Sequence, residues 1–424
     1  MIFGLLLVLF YFLVPFLIIY LCKILPFLSK IGAVALAYIV GLIAGNTGLI
    51  PSPGPEFRQF LLTSPSLSKD VIDQLVATGQ LQQSDYFVNQ ALSIQDIVIT
   101  IAIPLAIPLL LFSLDLRKWL KLAKGALLSL FLAFISLIIS VLAGYYLFSQ
   151  HIYEAPKVAG MLVGVYTGGT PNLAAIGTAL NINPNTFLLT HTYDLIIGSV
   201  ILLFLLTLAQ RMFHLFLPRF SALHQPEISV EAVSENENME NFDGLFDRKN
   251  LPDMLKALLI AIGIFAIGGG ISLLVPQPNN SVAAILIITS LGLLASLLKP
   301  VNRLKNSFSL GMYFIIVFSL VIASMANLSN IFKNGDSAEY LFYFILMVVV
   351  ASMVIHVGLS KIFKVDADTT IIAITALTYS PPFVPTVASA IKNKHLIISG
   401  LAIGIIGYAF GSYLGIFIGK ILSL

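Results

Sequence analysis

The sequence predicts an all-α polytopic membrane protein made of two inverted repeats, each with about five transmembrane helices plus one broken or re-entrant helix. Three observations carry this. Of 424 residues, 58% are hydrophobic and only 10% charged, against about 25% charged in soluble domains. The apolar residues fall in runs long enough to cross the ~30 Å hydrocarbon core, which takes about 20 residues. The Lys and Arg sort cleanly to one side of a bilayer if the run 156–182 turns back on itself, and the run 367–391 is read as doing the same by symmetry.

Apolar runs fall at 3–22, 31–50, 94–114, 125–148, 156–182, 185–210, 254–275, 281–298, 307–328, 339–362, 367–391 and 396–420. They are read as helices, since barrel strands are about 10 alternating residues long and only helices or closed barrels satisfy the backbone in lipid. No Lys or Arg precedes the first run, as a signal peptide would require. Residues 1–21 are therefore expected to be a retained first span with its N-terminus outside. Domain boundaries follow from the polar gaps: a first membrane repeat at 1–210, an acidic cytoplasmic linker at 211–253, and a second membrane repeat at 254–424. Within the first repeat, 51–93 is expected to form an extracytoplasmic insert. There Val71, Leu75 and Leu81, set among Asp70, Asp73 and Asp85, predict a short amphipathic helix. The linker carries Glu227, Glu231, Glu235, Glu237, Glu240, Asp243 and Asp247, the composition of a solvated, unfolded segment.

The topology rests on charge. If all the runs crossed the membrane, nine of the 23 Lys and Arg would lie inside and fourteen outside, against the positive-inside tendency. If 156–182 and 367–391 each enter and leave on one side, eighteen lie inside and five outside. Each half then has an odd number of spans, and the second half is inverted. Both termini are expected outside. Interrupted segments at matching places in two halves are the pointer to a transporter site.

The first interruption reads Tyr166-Thr167-Gly168-Gly169-Thr170-Pro171-Asn172. Its glycines permit a turn, Thr170 suits an N-cap, and Pro171 the first helical position. The second reads Thr378-Tyr379-Ser380-Pro381-Pro382-Phe383, repeating the cap-then-proline order. Two half-helix N-termini at mid-membrane would present free N–H groups and positive dipole ends, which favour an anion. The candidate solute-binding residues are therefore Thr167, Gly168, Gly169, Thr170, Asn172, Thr378, Tyr379, Ser380 and Pro381. A helix kinked for packing alone is the plainer reading of either interruption by itself.

Asp194, inside the run after the first interruption, is the sharpest single candidate. An acid at that depth costs about 3 kcal/mol on insertion scales and calls for a reason. It is expected to bind Na⁺ or carry a proton, with Asn172, Ser324 and Asn327 as further ion-coupling candidates. The plainer reading is an acid hydrated at the interface. His191 is expected near the surface, Asp115 paired with Arg117 and Lys118 at the membrane edge, Pro104 and Pro108 bending their helix, and His356 a satisfied buried histidine.

Several classes find no support. There is no phosphate loop for ATP-driven pumping, no metal-enzyme spacing, and no basic aromatic patch for nucleic acid. Cys22 stands alone, so no internal disulfide can form. No enzymatic activity and no cofactor beyond a coupling Na⁺ or H⁺ are expected.

The glycine-rich stretch from Gly160 to Asn181, the segment Pro104 to Leu111, and the C-terminal part from Ser380 to Gly415 resemble the YjcL-like bacterial membrane proteins, a family of unknown function. That family is similar at a distance to sodium-coupled glutamate, citrate and bile-acid symporters and to cation–proton antiporters. The resemblance implies a two-repeat carrier in a bacterial inner membrane, with Gly168, Gly169 and Asn172 at a loop motif, Asp194 at a polar position of the next span, and a homodimer as one possible assembly. Ser380-Pro381-Pro382 departs from the more Gly-rich second turn of many members. The expected function is Na⁺- or H⁺-coupled transport of a small organic anion or amino acid. A cation–proton antiporter, or a membrane sensor or assembly component making contacts through 221–252, stands as the alternative.

Overall fold

The computed structural model describes residues 2–25, 27–28, 32–54, 57, 66–113, 127–220, 242–276, 279–326 and 335–424. Among these, the regular structure is helical, with no strand. In order, the helices are α1 (Ile2–Ile24), α2 (Ala33–Asn46), α3 (Lys69–Ala77), α4 (Asp85–Phe112), α5 (Leu127–Phe148), α6 (Ala155–Ala179), α7 (Pro184–Thr207) and α8 (Ala209–Phe213). The second half continues with α9 (Leu251–Ser272), α10 (Asn280–Ser296), α11 (Lys299–Asn302), α12 (Ser307–Met325), α13 (Gly335–Ile362), α14 (Ala367–Thr378), α15 (Val384–Ala390) and α16 (Ile397–Ile421). Eight of the helices are long and apolar enough to cross a membrane: α1, α4, α5, α7, α9, α12, α13 and α16. The protein is an all-α polytopic membrane protein. Two expected spans are shorter helices, α2 with 14 residues and α10 with 17.

The residues gather into two compact units. The first comprises Met1–Ala106, Asn183–Leu188 and Tyr313–Asn334. Here the glycines of α2 lie flat against α12. A Cβ on Gly41 would meet the Leu320 carbonyl, and one on Gly45 the Ser324 carbonyl, so small residues let two backbones touch, as they do between helices in lipid. A buried polar trio ties α1, α4 and α12 together: the Tyr11 hydroxyl lies 2.8 Å from Ser324 Oγ, and Gln95 Nε2 donates to Tyr11 at 2.9 Å and to Ser324 at 3.1 Å. Helix α4 begins at Asp85, within the expected 51–93 insert. Its helix α3 buries Ile72, with Leu81, Phe57, Val88 and Leu92, in a small apolar cluster. Val71, one residue along, is exposed, which corrects the expected inner face.

The second unit comprises Ile107–Ile182, Leu189–Met312 and Gly335–Leu424. Its most extensive packing joins α6 to α16 and α5 to α13. The Arg117–Lys124 cluster with Asp115, and the linker over 221–241, lie outside the described residues.

Candidate functional site

Helix α6 is two helices. Gly168 (φ −156°, ψ 18°) and Gly169 (φ 69°, ψ −163°) leave the helical region, and the chain turns back there. In a straight helix, Lys157 and Asn181 would stand about 36 Å apart, from the 1.5 Å rise per residue. Instead, the Lys157 Nζ donates to the Asn181 carbonyl at 2.9 Å. Gly164 packs against both Ile176 and Asn172 across the turn. Residues 155–179 therefore form a hairpin whose feet share one end.

The second interruption does the same with different residues. Helix α14 ends at Thr378, and Ser380 takes φ 72°, ψ 164°. A short 3-10 turn, Pro381–Phe383, leads into α15. The feet are joined where Asn393 Nδ2 donates to Asp368 Oδ2 at 2.9 Å, 25 residues apart. Ile372 and Val384, one from each arm, both meet Gly400.

Helix α16 fixes the two hairpins relative to each other. Its small-residue face presents Gly400, Gly404, Gly407, Gly411, Gly415 and Gly419. Gly419 meets Pro156 and Leu180 at the feet of the first hairpin, and Gly407 meets the Thr167 carbonyl at its tip. Gly404 meets Pro381 near the second tip, and Gly400 the arms below it. The hairpins thus enter from opposite ends of α16, and their tips touch: a Cβ on Gly169 would collide with Ser380 Oγ.

Helix α7, from Leu189 onward, passes the same crossing in the other sense. His191, 1% exposed, places Nε2 3.3 Å from Thr170 Oγ1 at the first tip. One turn on, the Asp194 carboxyl lies within electrostatic reach of the Tyr166 and Tyr379 hydroxyls. A further turn on, the Tyr379 hydroxyl donates to the Gly198 carbonyl at 2.7 Å. Beyond α7, Gln210 Nε2 donates to Asp368 Oδ1 at 2.9 Å, at the second hairpin's feet. Asp194 therefore stands level with both tips.

Of the candidate residues, Thr167, Gly168, Gly169, Thr170, Tyr379, Ser380 and Asp194 come together here, with Thr378 on the adjoining cavity wall. Others have different roles. Asn172 is buried and committed to α16: its Nδ2 donates to the Gly407 carbonyl at 3.1 Å, and its Oδ1 accepts from Ser412 Oγ at 3.0 Å. Pro381 packs on Gly404. Ser324 belongs to the first unit, in the trio with Tyr11 and Gln95. Asn327 lies outside the described residues. Ser380 makes no side-chain cap bond, because its hydroxyl faces the other hairpin. Thr170 turns its hydroxyl to His191, which corrects the surface position expected of that histidine.

Tyr166 was legible as part of the motif but carried no expected role. A phenol two residues before a glycine turn, with an acid in the next run, is the signal that could have marked it. The arrangement has a clear electrostatic sense. Carbonyl-bearing C-terminal ends of two arms and one carboxylate converge, while Pro381 and Pro382 bring no N–H to the second tip.

The model of the family described as protein of unknown function DUF819 matches residues 86–424. The chain is also similar to the uncharacterized membrane protein YjcL of Bacillus subtilis (strain 168), 24% identical over 340 residues, covering 77% of this chain and 83% of that protein. The chain belongs to the DUF819 family.

Proposed function

We propose that this member of the DUF819 family is a secondary active transporter. It carries a small solute, an organic anion or amino acid, across a bacterial plasma membrane together with a cation bound at Asp194. The single observation that carries the reading is the contact of two oppositely directed hairpins at Gly169 and Ser380, beside an intramembrane carboxylate. Broken backbone at membrane depth is tolerated only where protein buries it or where it lines a cavity, and paired interruptions of this kind mark binding sites in carriers built from inverted repeats. The course of α7 past the second hairpin, and of α16 past the first, supports an inverted pair in which each repeat contributes one hairpin and the helix that follows it. Both termini then lie outside.

Binding and release at such a site need no covalent step, so the chain is proposed as a carrier and not an enzyme. The Thr170 hydroxyl and the backbone N–H groups that open the second arm of α6 would hold the solute's carboxylate. Asp194 and the carbonyl ends of the first arms would hold the cation, which offsets the solute's charge.

The test is uptake into proteoliposomes holding the purified full chain, against a panel of radiolabelled carboxylates and amino acids, with and without a sodium or pH gradient. Gradient-driven accumulation of at least one solute is expected, and Asp194→Asn should abolish it while leaving the protein folded. Undiminished ion dependence in that variant would remove Asp194 from the mechanism.

One observation favours a second reading. With two prolines at its start, the second tip offers few donors to an anion, whereas the carboxylate and carbonyl ends suit a cation alone. A cation–proton antiporter would then acidify or alkalinise the vesicle lumen when a sodium gradient is the sole driving force.

A further inference from the structure

Beside the hairpin crossing lies a small cavity of about 30 Å³. Its walls come from α5, both hairpins, α7 and α13, all within the second unit. The ends of the two first arms face it, through Tyr166 shortly before Gly169 and Thr378 shortly before Ser380. One water takes at least about 10–15 Å³ of such space, so there is room for about two or three groups of that size.

The lining decides what fits. Among the described residues, seven of the eleven that line the cavity are apolar, and none is Asp, Glu, Lys or Arg. A charged group placed there would lose its hydration and meet no counter-charge. An aliphatic group would gain contacts with Leu137 of α5, Met353 of α13 and Ile374 of α14. Two of the polar wall residues are already bonded: Ser352 Oγ donates to the Val349 carbonyl at 3.0 Å, and His356 Nε2 lies 3.2 Å from Ser129 Oγ. Tyr166 differs. It is 5% exposed, yet its hydroxyl has no hydrogen-bond partner among the described residues. Buried hydroxyls are nearly always bonded, and leaving one bare is costly. A buried phenol without a protein partner, on the wall of an apolar cavity, suits a ligand with one polar end and one aliphatic end.

We infer that this cavity is the side-chain subsite of the carrier, and that the solute is a monocarboxylate or amino acid with an aliphatic tail of about two or three carbons. The inference rests on the carrier reading above and narrows its substrate. The Tyr166 hydroxyl donates to the solute's carboxylate at the first tip, and the tail lies against Leu137, Met353 and Ile374. Dicarboxylates and acidic amino acids are excluded, because their second carboxylate would enter a wall that holds no cation. Longer tails are excluded by volume, since a packed interior yields little.

Gradient-driven uptake into proteoliposomes of the purified full chain tests this. The probes are radiolabelled straight-chain monocarboxylates from acetate to octanoate, with glycine, alanine, valine, leucine, glutamate and succinate alongside. In the wild type, uptake should peak at a tail of about two or three carbons and be at least about tenfold lower for succinate and glutamate, as a misfit in an apolar pocket costs. Ala133→Leu fills the cavity from α5 and should move the peak about one or two carbons shorter. Ile374→Ala widens it from α14 and should move the peak about one or two carbons longer. Opposite shifts separate a changed cavity from a damaged fold, which lowers uptake of every compound together. Tyr166→Phe should lower uptake about tenfold at every length and leave the peak in place. Three results overturn the inference and leave the carrier standing: preference for succinate or glutamate over the aliphatic series, a peak unmoved in both cavity variants, or undiminished uptake in Tyr166→Phe. Failure of the carrier reading itself appears separately, as absence of gradient-driven uptake of any compound by the wild type.

Discussion

The two hairpins reach the same point by different means. The first turns on Gly168 and Gly169, and backbone lies on backbone along α16: Gly160 against Gly415, and the Thr167 carbonyl against Gly407. The second turns on Ser380, a non-glycine residue held at φ 72°, ψ 164°, in a region that costs about 1–3 kcal/mol for a side-chain-bearing residue. It meets α7 through a longer reach, the Tyr379 ring resting 3.6 Å from where a Cβ on Gly198 would stand. At its feet it is held by side chains, with Asp368 accepting from Gln210 and Asn393. One hairpin is fixed by shape and the other by polar bonds and a strained residue. The first should therefore be the more sensitive to added volume, and each should weaken when one of its bonds is removed.

The largest effect belongs to the first hairpin. A Cβ at Gly407 would run into the Thr167 carbonyl, and backbone cannot rotate away as a side chain can. Gly407→Val should cost at least the 1–3 kcal/mol typical of overpacking and is expected to lower the yield of monodisperse protein in detergent several-fold. A variant purified at wild-type yield would break the comparison.

Next comes Asn172→Ala, which removes two buried bonds, to the Gly407 carbonyl and from Ser412. About 1–3 kcal/mol is expected for orphaned buried partners, read as a lowered melting temperature in detergent. Because both side-chain bonds of Asn172 go to α16, ion dependence of any transport should survive at reduced protein level. Loss of ion dependence at normal stability would return Asn172 to the list of ligands.

On the second hairpin, Tyr379→Phe deletes one bond to the Gly198 carbonyl and keeps the ring. About 1 kcal/mol is expected, smaller than either change to the first hairpin. A fall in melting temperature as large as that of Asn172→Ala would mean that the second tip is held as tightly as the first.

Much of this architecture was legible in the sequence. The doubling-back of 155–179 followed from counting Lys and Arg, because the bias of loop cations to the inner side is strong enough to order a topology. The breaks followed from Gly168-Gly169 and from Ser380-Pro381-Pro382, whose backbone chemistry is local. What a side chain does across the bundle was not legible. Asn172 looked like a ligand because it is polar and follows a turn, yet it is spent on α16, and nothing in its neighbours announces Ser412 240 residues away. Ser324 occupies a suggestive place near the end of its run but pairs with Tyr11 from the first helix. His191 read as a surface residue because it starts a run. Its burial depends on Thr170 being brought back by the hairpin, a non-local event that periodicity does not encode.

The smallest effect sharpens the comparison most, because it asks for nearly nothing. Gly198 of α7 and Gly407 of α16 each face a hairpin from the helix that follows the other one. Gly407 sits against a carbonyl, whereas Gly198 has only the edge of the Tyr379 ring, at ordinary contact distance. Gly198→Ala should therefore gain up to about 1 kcal/mol of helix propensity and lose little to crowding, leaving the melting temperature unchanged or slightly raised. The same substitution at Gly407 should lower it by several degrees. Equal losses at both positions would show that the second tip is also packed backbone-tight against its helix, and that the contrast drawn between shape and bonding is a matter of degree.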